Sequence, residues 1–403
     1  MAPLPDLGRP PDIPQQAIAD AQALLASGRL HRYAEAGGDG GTVAALEREF
    51  AALIGCRYAV AVNSCGSALF LALKAADLRP GDPVLMNAFT LTPVPGAIDH
   101  IGAQPVLVEI TEDLTIDFDD LRAKARSSGA RVLMLSHMRG HLCDLDALSQ
   151  ICVEDGLTLI EDCAHTLGAS WAGRSAGSFG RVGCFSFQSG KHVNTGEGGV
   201  LVTDDPDIAA RAILHSGSYM LYGQHGTVPP DAVMARWRGR CGNYSLRMSA
   251  LVATLARPQL PLLPARVADW NASHDRIAAR LGECPHFRLP HRPEPEAYAQ
   301  SSLQFQLAEF DPPRIAAFVA RARDRGLWVK WFGTETAEGY NSNPAQWPGA
   351  HVSEVPRAFA LQQRLCDIRL PLRLSAAQCD DIAETLIAAT DAVAQGQGGH
   401  ARA

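Results

Sequence analysis

Lys191 sits between a short apolar strand, Phe185-Ser186-Phe187, and the turn Thr195-Gly196-Glu197-Gly198-Gly199, in a segment almost without other charges. Lysines ordinarily occupy solvated faces. Held in a partly desolvated pocket, beside glycines that let the backbone approach a bound group, a lysine can lose its proton and attack a carbonyl. The pattern makes Lys191 a candidate Schiff-base lysine, and such chemistry demands further groups around it.

Two other segments and Ser186 offer them. The apolar run Leu157-Thr158-Leu159-Ile160 leads straight into Glu161-Asp162-Cys163-Ala164-His165. Pyridoxal phosphate needs a carboxylate facing its pyridine nitrogen, so that the protonated ring accepts electrons. Asp162 or Glu161 could serve, and His165 could touch the ring or its phenolic oxygen. The plainer alternative is a strand-end carboxylate capping the next helix. Asn63-Ser64-Cys65-Gly66-Ser67-Ala68 joins a strand to a helix, where small residues expose amides that suit a phosphate. An ordinary N-cap would look the same. Ser186, five residues before Lys191, could add a hydroxyl to that phosphate or be an unremarkable strand serine.

Rival motifs fail. His137 and His141 are four apart, but Gly140 lies between them, no glutamate follows His137, and the segment leaves a strand, which argues against a metal. Gly190-Lys191 is followed by His192 rather than Ser or Thr, which excludes a Walker A loop. Ala176-Gly177-Ser178-Phe179-Gly180 lacks the first glycine of a nucleophile elbow.

The elements that must position these groups follow from the patterning. Residues 42–54 predict an amphipathic helix, Tyr58-Ala59-Val60-Ala61-Val62 a strand, and residues 67–76 a buried helix. Further strands are expected at residues 84–86, 105–108, 132–135 and 157–160, with helices at 117–128 and 144–155. Continuous apolar strands alternating with helices imply an α/β fold whose mostly parallel sheet is covered on both faces. Such sheets bind ligands at the carboxyl ends of their strands. Residues 217–247 show no period and suggest a functional or interface loop. Helices at 264–283, 312–325, 354–366 and 375–394, with strands at 301–308, 327–332 and 368–372, suggest a smaller α+β domain. The Gly-containing tail 395–403 is expected to be disordered.

The chain has 403 residues, a length that fits one large and one small domain, and its 47% hydrophobic content allows a sizeable core. A net charge of −7 with no long basic run argues against nucleic acid or an anionic membrane as partner. The start lacks a signal-peptide pattern, and no uncharged apolar run is long enough for a bilayer, so a cytoplasmic enzyme is expected. The ten cysteines form no C-x-x-C pair, and several lie in apolar segments, where they are read as reduced core residues.

Four blocks, in order, resemble the DegT/DnrJ/EryC1/StrS family of sugar aminotransferases: Asn63 to Leu69, Glu161 to His165, Phe185 through Lys191 to Gly199, and Asn243-Tyr244 with Arg247-Met248-Ser249. The likeness runs from about residue 30 to 260. It implies a fold-type I homodimer that binds pyridoxal phosphate, with a large domain over 1–260 and a small one over 261–403. By motif position Lys191 should form the Schiff base, Asp162 should pair with the pyridine nitrogen, and His165 should lie beside the ring. The amides of Gly66 and Ser67 and the Ser186 hydroxyl should hold the phosphate, with Asn243 reaching it from the neighbouring subunit. No metal is implied. The expected reaction moves an amino group from glutamate or glutamine to a keto-sugar, cyclitol or similar small polar ketone, with Lys330, Arg32 and Tyr33 as candidate acceptor contacts. A lyase or dehydratase on the same fold, or a non-catalytic regulatory relative, is the alternative.

Four departures from the family pattern stand out. Thr90-Leu91 replaces the usual Thr-aromatic pair, so an aliphatic side chain would cover the ring unless Phe89 substitutes. Gly66 stands where threonine is common. Residues 328–333 lack the histidine- and proline-containing pattern of nucleotide-sugar enzymes, and Ser245-Leu246 are two extra residues before Arg247.

Overall fold

The computed structural model describes residues 4–34, 40–336, 339 and 342–395. Its main body is built on strands β1 (Tyr58–Val62), β2 (Pro83–Asn87), β3 (Gln104–Val108), β4 (Val132–Ser136), β5 (Thr158–Asp162), the short β6 (Ser170–Trp171) and β7 (Arg174–Ser175), β8 (Val182–Ser186) and β9 (Gly199–Thr203). Seven of these form one sheet in the order β1-β9-β8-β5-β4-β2-β3. Only β9 runs antiparallel to its neighbours; the other pairings are parallel.

Successive side chains of a strand point to opposite faces, and here both sets are apolar. Val60, Val84, Met86, Met134 and Ile160 join one core cluster. Ala59 and Ala61, and Leu85, Leu133 and Leu159, join clusters on the other face. The helices Cys65–Ala75, Pro93–His100 and Pro206–Ser216 cover the first face. Gly41–Ile54, Phe118–Ser128 and Leu145–Glu154 supply residues to the second. This two-sided burial is why the strands read as continuous apolar runs. Each expected strand and helix of this region is present, within two or so residues at its ends.

A second, three-stranded sheet adds β10 (Glu296–Ala297) to β6 and β7. A third joins β11 (Ser302–Gln306), β12 (Lys330–Trp331) and β13 (Leu365–Arg369) in the order β11-β13-β12, all antiparallel. Its core gathers Leu303, Phe305, Phe318, Ile368, Ile382 and Trp270, the last from the long helix Leu263–Gly282. Leu7 packs into this same core, so the amino-terminal arm is tied to the carboxyl-terminal sheet, while Asn194 Nδ2 donates to the Pro11 carbonyl at 2.9 Å from the main body.

Two expectations shift here. The helix over 354–366 ends at Gln362, and β13 begins at Leu365 instead of residue 368. As the central strand of its sheet, β13 recruits backbone pairing on both edges, which outweighs the helical period of Leu361, Leu365 and Ile368. The strand expected over 327–332 pairs only at Lys330 and Trp331. Residues 217–247 do carry one short helix, Asp231–Trp237. Gln395 closes the last helix, and the remainder of the expected tail lies outside the described residues. Among the described residues, no helix is long and apolar enough to cross a membrane.

One glycine fixes how the sheet meets the helix Cys65–Ala75. A Cβ on Gly199, where β9 begins beside β1, would lie 2.5 Å from the Ser64 carbonyl carbon and oxygen and 2.6 Å from the Cys65 nitrogen. All three are backbone atoms that cannot rotate away. Gly199→Ala is therefore expected to destabilise the chain by about 2–3 kcal/mol through overpacking. A urea melt would show it as a lowered midpoint with unchanged slope; an unaltered midpoint would mean the loop yields freely.

Candidate active site

The parallel strands end on polar residues at one edge of the sheet: Asn87 on β2, Ser136 on β4, Asp162 on β5 and Ser186 on β8. Asn87 ties two of these ends together, accepting from the Ser136 amide at 2.9 Å and donating to the Ser136 carbonyl at 3.0 Å. Beyond them lies a cavity of about 440 Å³, lined among others by Ser64, Cys65, Gly66, Leu91, Met138, Asp162, His165, Ser186, Gln188, Lys191 and Arg369. That volume lies within the range of small-molecule sites.

Register assigns the two carboxylates. Neighbouring residues on β5 face opposite ways, so Asp162 and Glu161 cannot both reach the cavity. Asp162 does. It accepts from Ser136 Oγ at 2.8 Å and from the Ala164 amide at 3.1 Å. Glu161 is fully buried on the other side, accepting from His137 Nε2 at 3.0 Å and from the amides of Gly177 at 2.9 Å and Gly180 at 2.6 Å. Burial alone would raise its pKa, but His137 and the two amides outweigh that and hold it below the usual value. Glu161 is thus an internal hub. His137, Glu161 and Cys163 do approach one another closely enough for a metal, yet both carboxylate oxygens already accept N–H donors. His141 turns elsewhere, to Gln304 Oε1 at 2.8 Å.

Lys191 is placed by its turn. Its amide donates to the Gln188 carbonyl at 2.8 Å, and Arg369 Nη1 donates to the Gly190 carbonyl at 2.5 Å. The turn 195–199 folds back on β8 through Thr195 N to Phe187 O at 3.0 Å and Phe187 N to Gly198 O at 2.9 Å. Gly196 takes φ 82°, a conformation suited to glycine. The lysine side chain then reaches inward, and Nζ lies 2.7 Å from His165 Nε2. Burial pushes the His165 pKa well below its ordinary value, helped by Lys191 and Arg139. The imidazole is therefore neutral, and its Nε2 shares a hydrogen bond with the amine.

Burial also lowers the Lys191 pKa, to about 7, with the guanidiniums of Arg369 and Arg139 adding repulsion. The sign follows directly. Below pH 7 the group is an ammonium without a lone pair; above it, the free amine dominates and can attack a carbonyl. Lys191 is one of four lysines in the chain. Reductive labelling of the cofactor-free protein with an aldehyde should therefore rise through a midpoint near pH 7 at Lys191. An ordinary lysine rises only near about 10. Mass mapping of the label checks this; a Lys191 midpoint close to the ordinary value would contradict it.

The helix Cys65–Ala75 opens on this cavity. Ser64 caps it, its Oγ accepting from the Ser67 amide at 3.0 Å. The Ser67 amide is therefore engaged, and the Ser67 hydroxyl donates to Asn63 Oδ1 at 2.6 Å. Cys65 and Gly66 bring first-turn amides, which have no intrahelical acceptor. A Cβ on Gly66 would meet only Ser64 Oγ, at 3.8 Å, so glycine is not required there by space. Ser186 lies opposite, its Oγ accepting from the Gln188 amide at 3.3 Å.

The remaining expected contacts are mixed. Leu91 lines the cavity, whereas Phe89 is fully buried edge-on against Phe332, ring centres 5.2 Å apart. Asn243 is exposed and lies outside this chain's cavity, accepting from the Ser245 amide at 3.0 Å. Arg32 is an interior ion pair, donating from Nη2 to both oxygens of Glu47 at 2.9 Å, so its charge is committed to the fold. Tyr33 Oη lies 3.0 Å from His225 Nε2. Lys330 lines a neighbouring cavity. Sequence reasoning missed Ser136, Gln188, Arg139 and Arg369. Ser136 carried a usable signal, a polar residue ending an apolar strand, as Asp162 does.

Pyridoxal phosphate fits the donor set. A buried amine of lowered pKa faces a carboxylate across the cavity, and helix amides with a serine hydroxyl lie at one end.

Comparison with known proteins agrees with this arrangement. The family model described as the DegT/DnrJ/EryC1/StrS aminotransferase family matches residues 12–386. The spore coat polysaccharide biosynthesis protein SpsC of Bacillus subtilis (strain 168) is 34% identical over 274 residues, 67% of this chain and 66% of that protein. The 3-amino-5-hydroxybenzoate synthase of Amycolatopsis mediterranei (strain S699) is 30% identical over 338 residues, 79% of this chain and 84% of its own. The match to SpsC thus spans just under two thirds of that relative. A crystal structure of 3-amino-5-hydroxybenzoic acid synthase superposes with a TM-score of 0.83 at 24% identity, covering 96% of this chain and 100% of the other, which establishes the fold as that of a known architecture.

Proposed function

Because the chain belongs to the DegT/DnrJ/EryC1/StrS aminotransferase family, we propose that it is a pyridoxal-phosphate-dependent aminotransferase. Glutamate or glutamine would give the amino group, and a keto-sugar, cyclitol or similar small polar ketone would receive it. The observation that carries this reading is the buried Lys191 amine, its pKa near 7, 2.7 Å from a neutral His165 in the cavity that also holds Asp162. The named roles of the two relatives, polysaccharide biosynthesis and an aminohydroxybenzoate synthase, suit a cyclic polar ketone.

When bound, pyridoxal phosphate supplies an aldehyde that captures amines and a ring that accepts electrons. Lys191, Asp162, Ser186 and the Cys65–Gly66 turn would hold it. When not engaged with the cofactor, Lys191 would hold and move a proton at Nζ, a task suited to a group whose pKa lies near neutral pH. His165 orients that amine through its Nε2. Ser136 and the Ala164 amide hold the Asp162 carboxylate on the cavity floor. Leu91 lines the cavity and would offer the bound group an apolar wall.

The large domain over 1–260 would carry these groups, with 261–403 closing the site. In a homodimer, the loop bearing Asn243 would serve the phosphate pocket of a second copy; its exposure and its place outside the lining of its own cavity suit that role. Action in the cytoplasm is supported by ten cysteines that are all free. Retention of Lys191 with its neutral histidine favours transfer over elimination.

The test needs no knowledge of the acceptor. Incubating the cofactor-loaded protein with glutamate or glutamine should convert its visible absorbance to the pyridoxamine form and release one keto acid per site. Ammonia or a deoxygenated product without any keto acid from a donor would point instead to a lyase or dehydratase.

A further inference from the structure

The backbone that follows Lys191 is held from behind by a closed circuit of hydrogen bonds. Arg266, on the helix Leu263–Gly282, is 8% exposed, and its guanidinium reaches three uncharged oxygens. Nη1 donates to the His192 carbonyl at 2.9 Å and to Gln259 Oε1 at 3.0 Å. Nη2 donates to the Asp12 carbonyl of the amino-terminal arm at 2.7 Å. Taking a guanidinium out of water is costly unless its donors are met. Two of these three bonds lead to the segment just after the lysine.

Gln259 carries the circuit onward. It is fully buried; its Oε1 also accepts from the Asn194 amide at 3.1 Å, and its Nε2 donates to the Asn194 carbonyl at 2.7 Å. Asn194 Nδ2 in turn donates to the Pro11 carbonyl at 2.9 Å, which returns the circuit to the arm one residue before Asp12. Between His192 and Asn194, Val193 is fully buried in an apolar core cluster. Residues 192–194 are therefore fixed by backbone and side chain alike. The Arg369 bond to the Gly190 carbonyl fixes the other side of the lysine. Anchored on both sides, Lys191 points its amine into the cavity toward His165.

We propose that Arg266, together with Gln259, is a positioning residue for Lys191: the circuit it closes with the amino-terminal arm keeps the amine inside the cavity and out of water. The inference rests on the reading of Lys191 as the reactive amine and adds what holds it there. With the circuit cut, the turn relaxes, the amine meets water, and its protonated form is favoured again. The charged and titratable groups that face Nζ stay in place: Asp162 on β5 and His165 beyond it, Cys65 on its helix, Arg139 after β4, Arg369 on β13, and the neighbouring His192.

Arg266→Lys and Gln259→Met test this, and each preserves net charge, so a shift reports position. A single ammonium does not reproduce the guanidinium fork, and methionine fills the Gln259 site without its amide. Formaldehyde with cyanoborohydride labels the full-length, cofactor-free protein across a pH series, and mass mapping follows Lys191. The parent midpoint near pH 7 should rise in each variant. A rise on the order of one pH unit means a roughly tenfold drop in labelling on the acid side. Asp12→Asn removes only the exposed pairs with Arg9 and Arg373 and leaves the carbonyl in place, so it should not move the midpoint. A midpoint that stays put in either folded variant, even with lowered melting, overturns the proposal; so does an equal shift in Asp12→Asn. If one variant does not fold, the other decides. Labelling involves neither cofactor nor amino transfer, so this result and the aminotransferase reading can fail separately.

Discussion

Replacing Lys191 with alanine is expected to lower amino transfer by about 10⁴-fold or more, because in the proposed role the residue would both capture the cofactor and move the proton. The fold should survive. The turn around it is held by backbone bonds from Phe187, Gln188, Thr195 and Gly198, none of which involves the lysine side chain. Removing a buried amine whose protonation is already disfavoured costs little, so the melting temperature should hold or rise. Transfer rate and thermal melting measured on the same preparation separate the two effects. Activity within tenfold of the parent would mean that another group does the chemistry.

Asp162→Asn is expected to have the second largest effect, a loss of about 10³-fold, or ~4 kcal/mol of barrier. Asparagine keeps the size of the side chain and an oxygen for Ser136 Oγ, now 2.8 Å away, but removes the negative charge opposite the amine. The variant should retain the cofactor, lose rate in both half-reactions alike, and melt close to the parent. If only cofactor retention suffers while the rate per bound cofactor is kept, Asp162 is a binding group and the assignment to the ring nitrogen fails. Glu161→Gln is the informative contrast. It alters a hub that braces Gly177, Gly180 and His137, so its damage should appear in stability.

The large sheet was legible because its strands are buried on both faces, leaving continuous apolar runs such as Val132-Leu133-Met134-Leu135 between helical periods. The strand-end motif told that a carboxylate faced the cavity but not which one. That choice depends on pleat and register, which local patterning leaves open; only the family resemblance singled out Asp162. Phe89 and Leu91 were equally ambiguous. Two residues apart, they would share a face in a strand, but the chain leaves β2 at Asn87 and turns Phe89 toward Phe332.

Arg32 looked available as an acceptor contact. Its partner Glu47 lies fifteen residues on, in a helix whose apolar stripe gives no hint of a buried carboxylate. The small sheet was least legible. Its central strand β13 draws bonds from β11 and β12, which are distant in sequence, and so began three residues early. That shift is what delivers Arg369 to the strand's end. Its meeting with Arg139, far away in the chain, is a tertiary fact with no local signature.

The most direct measurement of the central claim is borohydride reduction of the cofactor-loaded protein, followed by peptide mapping of the fixed pyridoxyl group. The account predicts one label per chain, on the peptide containing Lys191, and none in Lys191→Ala. A label confined to Lys74, Lys124 or Lys330, or no label at all on protein that retains its visible absorbance, would contradict it.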